Sequence, residues 1–480
     1  MPKQPVPAPP PPVCRESLGL SPAVLAKRDI IKQTLWCPNP SNIEYDRYSD
    51  PTCPKTIHYS HVVKADEVIR EIINTTPLMK SKTCEKFGME LYFKLETVHF
   101  TGTFHERAAI YALLMLTPEQ KRGGVYTASV GNWAQSLAHQ GQLLDIPVTV
   151  VLPSWTANSI VAHCQEYGAT VVLCGKTILE AKKRAFKMIH DQGRIGTYIN
   201  GYDHPNVIAG AGSIGIEILE QLPDTDAILI PIGGGGLIAG VATFVKHVKP
   251  NILIYGVETG KSCSFAKAID YKSPYLIEPE RGLAESLTVP KAGENAFHTA
   301  RSLIDKLILV HDDWTARAIL HLMEEEKVIA EGAGAISLGA LMSMPDILPE
   351  LKGKKVVCIV SGGNMDIWPL QRAIAHGKAV EGRCIAITMR LMPGMENLRN
   401  KILRVIQNMK CNVKFCETQR NWLDEDKILD TDLTVLVETT TQKRARTLKN
   451  VIEKLFPDTC EFQDAFKPKI ICSCFPKPIY

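Results

Sequence analysis

The stretch PIGGGGLIAG, residues 231–240, decides the fold class, because it follows the apolar strand pattern AILI and opens the helical pattern LIAGVATFVKHV. Consecutive glycines allow the backbone to approach an anion closely and to point several N–H groups at it, and the start of the helix adds a favourable dipole potential. The stretch therefore predicts a phosphate cradle between a strand and a helix. The alternative is a flexible loop that binds nothing. Neither a Walker A loop nor a G-x-G-x-x-G pattern is present here, which disfavours a nucleotide.

Short β-branched strand patterns alternate with amphipathic helical patterns on both sides of this stretch. The strand patterns are ELYFKLE, GVYTA, PVTVVLP, ATVVLC, ILIYGVE and KKVVCIV, and AKKRAFKMIHDQ is typical of the intervening helices. Near-continuous apolar strands joined by helices indicate a buried parallel sheet with right-handed crossovers. We therefore predict an α/β fold with its chemistry at the carboxyl ends of the strands.

The pattern changes after GKAVEGR, residues 377–383, where strand, helix, two strands and a helix follow one another. This order suits a small α+β domain of ferredoxin-like topology. We predict four parts along the chain: a proline-rich arm and extended lead-in (1–54), the α/β domain (55–376), the α+β domain (377–465) and a tail (466–480).

Composition excludes several classes of function. Hydrophobic residues at 45% and charged residues at 22% are typical of a soluble globular protein. A net charge of +4 over 480 residues, without a long Lys/Arg block, argues against a nucleic-acid partner, and no apolar run is long enough to span a membrane. The 14 cysteines are dispersed, which favours reduced thiols and a cytoplasmic location, although a redox or metal role stays open for Cys472 and Cys474.

Two further turns follow strands and carry polar side chains. SVGNWAQSLAHQ, residues 129–140, places Ser129, Gly131 and Asn132 where backbone and side-chain donors can receive a carboxylate or a ring oxygen. SGGNMD, residues 361–366, places the hydroxyl of Ser361 where it can bond to a neutral ring nitrogen. Taken singly, each is also explained as an ordinary helix cap or turn.

Two more blocks are KLETVHFTGTFHERAAIYALLML, residues 94–116, and GYDHPNVIAGAGSIGIEILEQ, residues 201–221. Together the five blocks, over about residues 55–375, resemble the fold type II pyridoxal-phosphate (PLP) enzymes, most closely the serine/threonine dehydratase (ammonia-lyase) family, which also includes serine racemase. The resemblance implies two open, twisted, mainly parallel sheets flanked by helices. It also implies PLP as cofactor and a small amino acid as ligand.

The resemblance implies a role for each site residue. Phe104 packs beside the cofactor, Asn132 contacts its ring hydroxyl and Ser361 meets the pyridine nitrogen. Ser129, Gly131 and Asn132 receive the substrate carboxylate. The cofactor phosphate is bound by Gly233, Gly234, Gly235, Gly236 and Leu237.

His105 stands where the family has the lysine that forms the Schiff base with PLP. That lysine both tethers the cofactor and moves protons at the substrate α-carbon. Imidazole has no primary amine and cannot form the tether, although it can shuttle a proton near neutral pH. Lys94 is the nearest lysine upstream, and the sequence gives no reason for its side chain to reach the same point.

Other departures change the expected pocket. Val130 and Trp133 are bulkier or more apolar than the family residues at the Gly-Asn turn, and Ala108 replaces a usual glycine. Glu285 and Ser286, within GLAESL, add side chains near the cofactor.

Some relatives bind a divalent cation near the residue that matches Glu258. This chain has Ser262 and Ser264 downstream in place of acidic ligands, so we predict no metal.

Residues 381–465 resemble an ACT regulatory domain. The family turn usually carries an acid two residues before Pro-Gly, but here Leu391 precedes Met392, Pro393 and Gly394, which disfavours effector sensing and leaves a role in assembly. By analogy with ACT strands, which pair across subunits, we expect an oligomer.

The leading hypothesis is a pseudoenzyme that retains a noncovalent PLP or amino-acid pocket, as a homo-oligomer or as a hetero-oligomer with an active paralogue. One alternative is an active L-serine/L-threonine ammonia-lyase in L-serine and L-threonine catabolism, in which another amine or His105 supplies the missing function. Another is a structural subunit whose site is filled by Trp133 and Ser286.

Overall fold

The structure of the protein is a computed structural model. It describes residues 45–193, 195–343, 348–391, 395–420, 431–457 and 459–463. The proline-rich arm, the tail with Cys472 and Cys474, and the turn at residues 392–394 lie outside the described residues.

The strands are numbered in chain order. They are β1 (Leu78–Lys80), β2 (Glu90–Leu95), β3 (Val125–Ala128), β4 (Val148–Leu152), β5 (Thr170–Leu173), β6 (Thr197–Tyr198), β7 (Ala227–Pro231), β8 (Leu253–Thr259), β9 (Lys306–Val310), β10 (Lys355–Val360), β11 (Cys384–Leu391), β12 (Asn412–Arg420), β13 (Thr431–Glu438) and β14 (Cys460–Gln463).

The α-helices of the described residues are numbered in the same way. They are α1 (Tyr59–Ile69), α2 (Cys84–Phe87), α3 (His105–Leu114), α4 (Pro118–Gly123), α5 (Asn132–Leu143), α6 (Asn158–Glu166), α7 (Ile178–Asp191), α8 (Pro205–Gln221), α9 (Gly236–Val248), α10 (Ser264–Tyr271), α11 (Glu294–Ala300), α12 (Asp312–His321), α13 (Gly332–Ser343), α14 (Ile367–Val380), α15 (Glu396–Asn408) and α16 (Gln442–Leu455). None is long and apolar enough to cross a membrane.

Two sheets build the α/β part of the molecule. The larger sheet has the order β1-β2-β10-β7-β8-β9, in which only the edge strand β1 runs antiparallel to its neighbour. The smaller sheet has the order β5-β4-β3-β6 and is parallel throughout. The predicted architecture of two open, mainly parallel sheets flanked by helices is confirmed.

The strands of the larger sheet are buried on both faces, which explains their near-continuous apolar sequences. In β7, Ile228 and Ile230 pack into a core with α1, α8 and α9. Leu229 of the same strand packs into a second core with α12 and α13. Because successive side chains of a strand point to opposite faces, one strand serves both cores.

The third sheet is antiparallel, with the order β12-β13-β11-β14, and it forms the C-terminal domain with α15 and α16. The sequence predicts the first five elements of this domain, in the order β-α-β-β-α. Strand β14 adds a sixth element, so that the observed order is β-α-β-β-α-β. Helix α14 runs from residue 367 to residue 380, so the expected boundary at 376/377 falls inside a helix.

A buried ion cluster holds α3 against the rest of the α/β domain. The guanidinium of Arg107 donates to Glu96 from Nε (2.7 Å) and to Glu217 from Nη1 (2.6 Å). Lys94 at the end of β2 donates to the same Glu217 (2.5 Å) and to the carbonyl of Thr76 (2.7 Å). The cluster therefore joins β2, α3 and α8. It also engages the ammonium group of Lys94 in hydrogen bonds within the core.

Replacing Glu217 by alanine should leave Arg107 and Lys94 buried with one acidic partner fewer. Removing one partner of a buried ion pair costs about 3–5 kcal/mol, so we expect the free energy of unfolding in urea to fall by that amount. Glu220→Ala on the same helix is the control, because this carboxylate is exposed and pairs with Arg70 at the surface. Its loss should cost less than about 1 kcal/mol. Equal effects of the two substitutions would show that the buried cluster does not stabilise the fold.

Candidate functional site

One large cavity lies where the carboxyl ends of β3, β7 and β10 meet the N-termini of α3, α5 and α9, and its volume is about 620 Å³. Parallel strands bring the loops at their carboxyl ends to one edge, so residues far apart in sequence converge there. Every site residue predicted from the sequence lines this cavity: Phe104, His105, Ser129, Gly131, Asn132, Gly233, Gly234, Gly235, Gly236, Leu237 and Ser361.

The glycine loop leads from β7 into α9. Gly235 has a φ of +97°, a conformation that side-chain-bearing residues rarely adopt. A side chain on Gly234 would overlap the ring of Tyr202, so packing also requires glycine in this loop. The N–H groups of Gly234, Gly235 and Gly236 form no hydrogen bond to the described residues. These free donors at a helix N-terminus suit a phosphate group.

Residue 105 begins α3, and its imidazole lies among aromatic rings. The ring centroid is 4.1 Å from that of Phe104 and 5.6 Å from that of Trp133. The Nδ1 atom is buried and has no hydrogen-bond partner among the described residues. Burial lowers the pKa of His105 to about 3, because no nearby carboxylate compensates for desolvation of the imidazolium. The side chain is therefore a neutral imidazole at physiological pH.

Three lysines that the sequence analysis did not single out also line the cavity: Lys176, Lys182 and Lys291. Lys291 lies 2.6 Å from the carboxylate of Glu294, and Lys182 lies 3.6 Å from that of Asp46. Burial lowers the pKa of Lys291, although Glu294 opposes the shift. No sequence motif marks these amines, since they come from segments outside the five blocks.

Asn132, the first residue of α5, is the centre of a polar network on one cavity wall. Its Nδ2 donates to Oε1 of Glu331 (2.6 Å), and its Oδ1 accepts from Nδ2 of Asn364 (3.0 Å). Ser286 donates to the other oxygen of Glu331 (3.0 Å). Both ends of the Asn132 amide are thus engaged within the protein, and its predicted contact with a ring hydroxyl stays a prediction.

Glu331 is the acidic residue of this network that sequence reasoning missed. It directly precedes α13, in the segment EGAGA, residues 331–335. A carboxylate followed by small residues at the start of a helix is the sequence feature that could have indicated it. Burial raises the pKa of Glu331 to about 7, although its hydrogen bonds to Ser286 and Asn132 favour the ionised form.

The remaining turn residues are held by backbone contacts. The N–H of Gly131 donates to Oγ of Ser129 (3.3 Å), and the carbonyl of Ser361 accepts from the N–H of Phe104 (3.0 Å). The second bond ties the end of β10 to the residue before His105, so the TGTF and SGGN turns are positioned together.

The departures from the family pattern leave the cavity open. Trp133 packs against Gly201, and its indole N–H donates to Oγ1 of Thr127 (2.8 Å). Val130, Glu285 and Ser286 lie on the cavity wall. Ala108 lies in the core rather than at the cavity.

Glu258, the residue that was compared with a cation site in some relatives, is hydrogen-bonded to backbone N–H groups. The carboxylate of Glu258 accepts the N–H groups of Phe265 (2.9 Å) and Ala266 (2.8 Å) at the start of α10. Burial raises the pKa of Glu258 to about 8. Ser262 donates to the carbonyl of Val289 (3.2 Å). Within the described ranges, no cluster of three His, Cys, Asp or Glu side chains is arranged to hold a metal ion.

Comparison with known proteins gives matches over this part of the chain. The protein-family profile described as "Pyridoxal-phosphate dependent enzyme" matches residues 69–362. L-threonine ammonia-lyase from Thermotoga maritima is 33% identical over 353 residues, 73% of this chain and 86% of that protein. L-threonine ammonia-lyase from Geobacter sulfurreducens is 37% identical over 339 residues, 70% and 83% of the two chains. The processed form of threonine deaminase isoform 2 from Solanum lycopersicum has a TM-score of 0.63 and 31% identity, covering 67% of this chain and 96% of that one.

The burial of His105 predicts that its imidazole stays neutral in the working pH range. In NMR spectra of histidine-labelled protein, the ring signals that disappear in His105→Gln should not shift between about pH 5 and pH 8, because the pKa lies near 3. A titration of those signals with a midpoint near about 6.5, the ordinary value for histidine, would contradict the burial argument.

Proposed function

Since the chain belongs to the family of pyridoxal-phosphate dependent enzymes, we propose that it is a dehydratase-like member which binds PLP and an amino acid without a covalent tether. The family and its L-threonine ammonia-lyase relatives are PLP-dependent. The observation that carries the proposal is the neutral, half-buried imidazole of His105, whose buried Nδ1 has no partner among the described residues, at the place where the family resemblance puts the tethering lysine. We therefore propose a pseudoenzyme with a binding role.

The residues of the cavity fit the noncovalent part of cofactor binding. The free N–H groups of the glycine loop would hold the phosphate, and the hydroxyl of Ser361 would face the pyridine nitrogen. When bound, PLP supplies an electron sink for reactions at the α-carbon of an amino acid. The residues do not fit a covalent attachment at position 105, because an imidazole has no primary amine.

Proton transfer is the second task of the missing lysine, and His105 is poorly suited to it. A neutral imidazole can accept a proton, but burial lowers the pKa of His105 to about 3, so the protonated form would be costly. A general base works best with a pKa near the operating pH. His105 is therefore a poor replacement for a lysine amine at the substrate α-carbon.

An active L-serine/L-threonine ammonia-lyase is the rival proposal, and one observation favours it. Lys291 lines the cavity, and burial lowers its pKa, which increases the unprotonated fraction that reacts with aldehydes. Its ion pair with Glu294 opposes this use. The open cavity argues against the third proposal, a structural subunit with a filled site.

We expect His105→Lys to restore the covalent attachment of PLP. An amine buried at this position would have a lowered pKa and so be reactive. After borohydride reduction and proteolysis, mass spectrometry should find a PLP adduct on the introduced lysine of the variant and none on any lysine of the natural chain. Pyruvate formation from L-serine should rise by about 10²-fold or more, the range for gaining a positioned acid–base group.

His105→Gln is the matched control, since it keeps a polar side chain without an amine and should give no adduct. An adduct on Lys291 of the natural chain, with turnover that Lys291→Arg abolishes, would establish the active enzyme and overturn the pseudoenzyme proposal. A His105→Lys variant that binds PLP without an adduct would show that the cavity has changed beyond position 105.

We also propose that the chain works as an oligomer in the cytoplasm, with itself or with an active paralogue. Strand β12 is an edge of the C-terminal sheet, and it exposes Val413 (41%) and Phe415 (47%). An edge strand with exposed apolar side chains supports pairing with another chain. The described cysteines are all free thiols, which supports a reducing compartment.

Phe415→Lys should weaken this association, because a charge on the edge strand opposes strand pairing. Light scattering of the full chain should show a lower mass than for the natural protein. Val248→Lys, an equally exposed apolar position (48%) at the end of α9, should leave the mass unchanged. A natural chain that is monomeric at micromolar concentrations would refute the proposal.

A further inference from the structure

Glu331 is a cavity-lining carboxylate with no cation beside it. The residue is only 6% exposed, and its carboxylate accepts hydrogen bonds from two neutral groups, Nδ2 of Asn132 and Oγ of Ser286. Among the described residues, no lysine, arginine or histidine pairs with it. Glu217 and Glu294, by contrast, each have a cationic partner within 2.6 Å. A buried carboxylate without such a partner is costly when ionised.

The neighbouring part of the same wall is suited to an anion. The turn of Ser129, Gly131 and Asn132 opens α5, a helix whose N-terminus carries positive potential. Asn132 belongs to both features, since its backbone lies in the first turn of α5 while its side chain bonds to Glu331. A methyl group on Gly362 would approach Oε1 of Glu331 to 2.8 Å, so glycine permits this arrangement. The wall therefore places a negative group next to an anion-receiving turn.

Cations line the same cavity, but those with carboxylate partners there pair with other residues than Glu331: Lys291 with Glu294, and Lys182 with Asp46. His105 also lines the cavity and is neutral, so it adds no positive charge. A ligand can supply the cationic partner that Glu331 lacks.

We infer that Glu331 binds the ammonium group of a free α-amino acid whose carboxylate lies at the Ser129–Gly131–Asn132 turn. This inference rests on the proposed noncovalent binding function and adds the residue that binds the amine of the ligand. An α-amino acid carries its two opposite charges on one carbon, which matches the adjacent groups of the wall. A 2-hydroxy acid has only the anion, and a simple amine has only the cation.

The pH dependence follows from the charge state of Glu331. Burial raises its pKa to about 7, and Glu285, the one other charged group of the described residues that acts on it, raises the pKa slightly further. His105 is neutral across this range. Because only the ionised carboxylate binds an ammonium group, affinity should increase as pH rises towards about 7 and level off above it. Binding near pH 6.5 should release a proton, since the ligand favours the ionised form.

Calorimetry on the full natural chain tests the inference with L-serine as probe. Titrations at about pH 6.5 in two buffers of different ionisation enthalpy report the protons released on binding. The natural chain should release a fraction of a proton, and Glu331→Gln should release none and bind L-serine about 10- to 100-fold more weakly, the usual range for losing a hydrogen bond to a charged group. Glycerate, which has a hydroxyl in place of the amine, should bind weakly and equally to both proteins.

Glu278→Gln is the matched control, since this carboxylate is exposed at the same cavity. It should change neither the affinity nor the proton release, and thermal unfolding should confirm that both variants fold. If Glu331→Gln binds L-serine as the natural chain does, the inference is overturned while the proposed function stands. If the natural chain retains PLP through dialysis but binds no amino acid, the inference fails together with the amino-acid part of the proposed function, while noncovalent PLP binding stands. If it binds neither, the whole proposed function fails.

Discussion

The interaction on which the α/β domain depends is the burial of Arg107 between Glu96 and Glu217. These charges are buried away from water. The turn after β2, which carries Glu96, must therefore pack against α3 and α8 in one arrangement, in which each charge has its partner. Since His105 begins α3, the same cluster determines where the side chain at position 105 lies. The location of the site is therefore a consequence of core electrostatics as much as of its own loops.

The cluster also engages the lysine that lies nearest upstream of position 105. Lys94 is close to the site in sequence, but its ammonium group is bound by Glu217, Thr76 and Gln221. Moving it towards the cavity would leave Glu217 with Arg107 alone. The amines that line the cavity come from later segments, and two of them, Lys182 and Lys291, have carboxylate partners of their own. A scaffold like that of the ammonia-lyases is thus combined with a position 105 that cannot tether an aldehyde.

The cavity differs electrostatically from one with a lysine at position 105. Its two central titratable groups are shifted by the same cause, loss of water, in directions that favour their neutral forms: the pKa of His105 falls to about 3 and that of Glu331 rises to about 7. The backbone N–H groups of the glycine loop, which are free among the described residues, are suited to an anion. This combination favours the binding of a ligand that supplies its own positive charge over covalent chemistry by the protein.

Much of the fold and the site could be predicted from the sequence. The apolar strand runs and the glycine loop predicted the parallel sheets, and the five blocks predicted the residues that line the cavity, because their patterns are local. Strands β1 and β6 have too few residues to show a period, and Cys460–Gln463 pairs with β11 only through tertiary contacts. The chemical identity of residue 105 is likewise a property of the sequence alone. The partners of Lys94, the bond from Asn132 to Glu331 and the lysines at the cavity join segments far apart along the chain, and only the packing of helices and sheets determines which charges meet and which lose water.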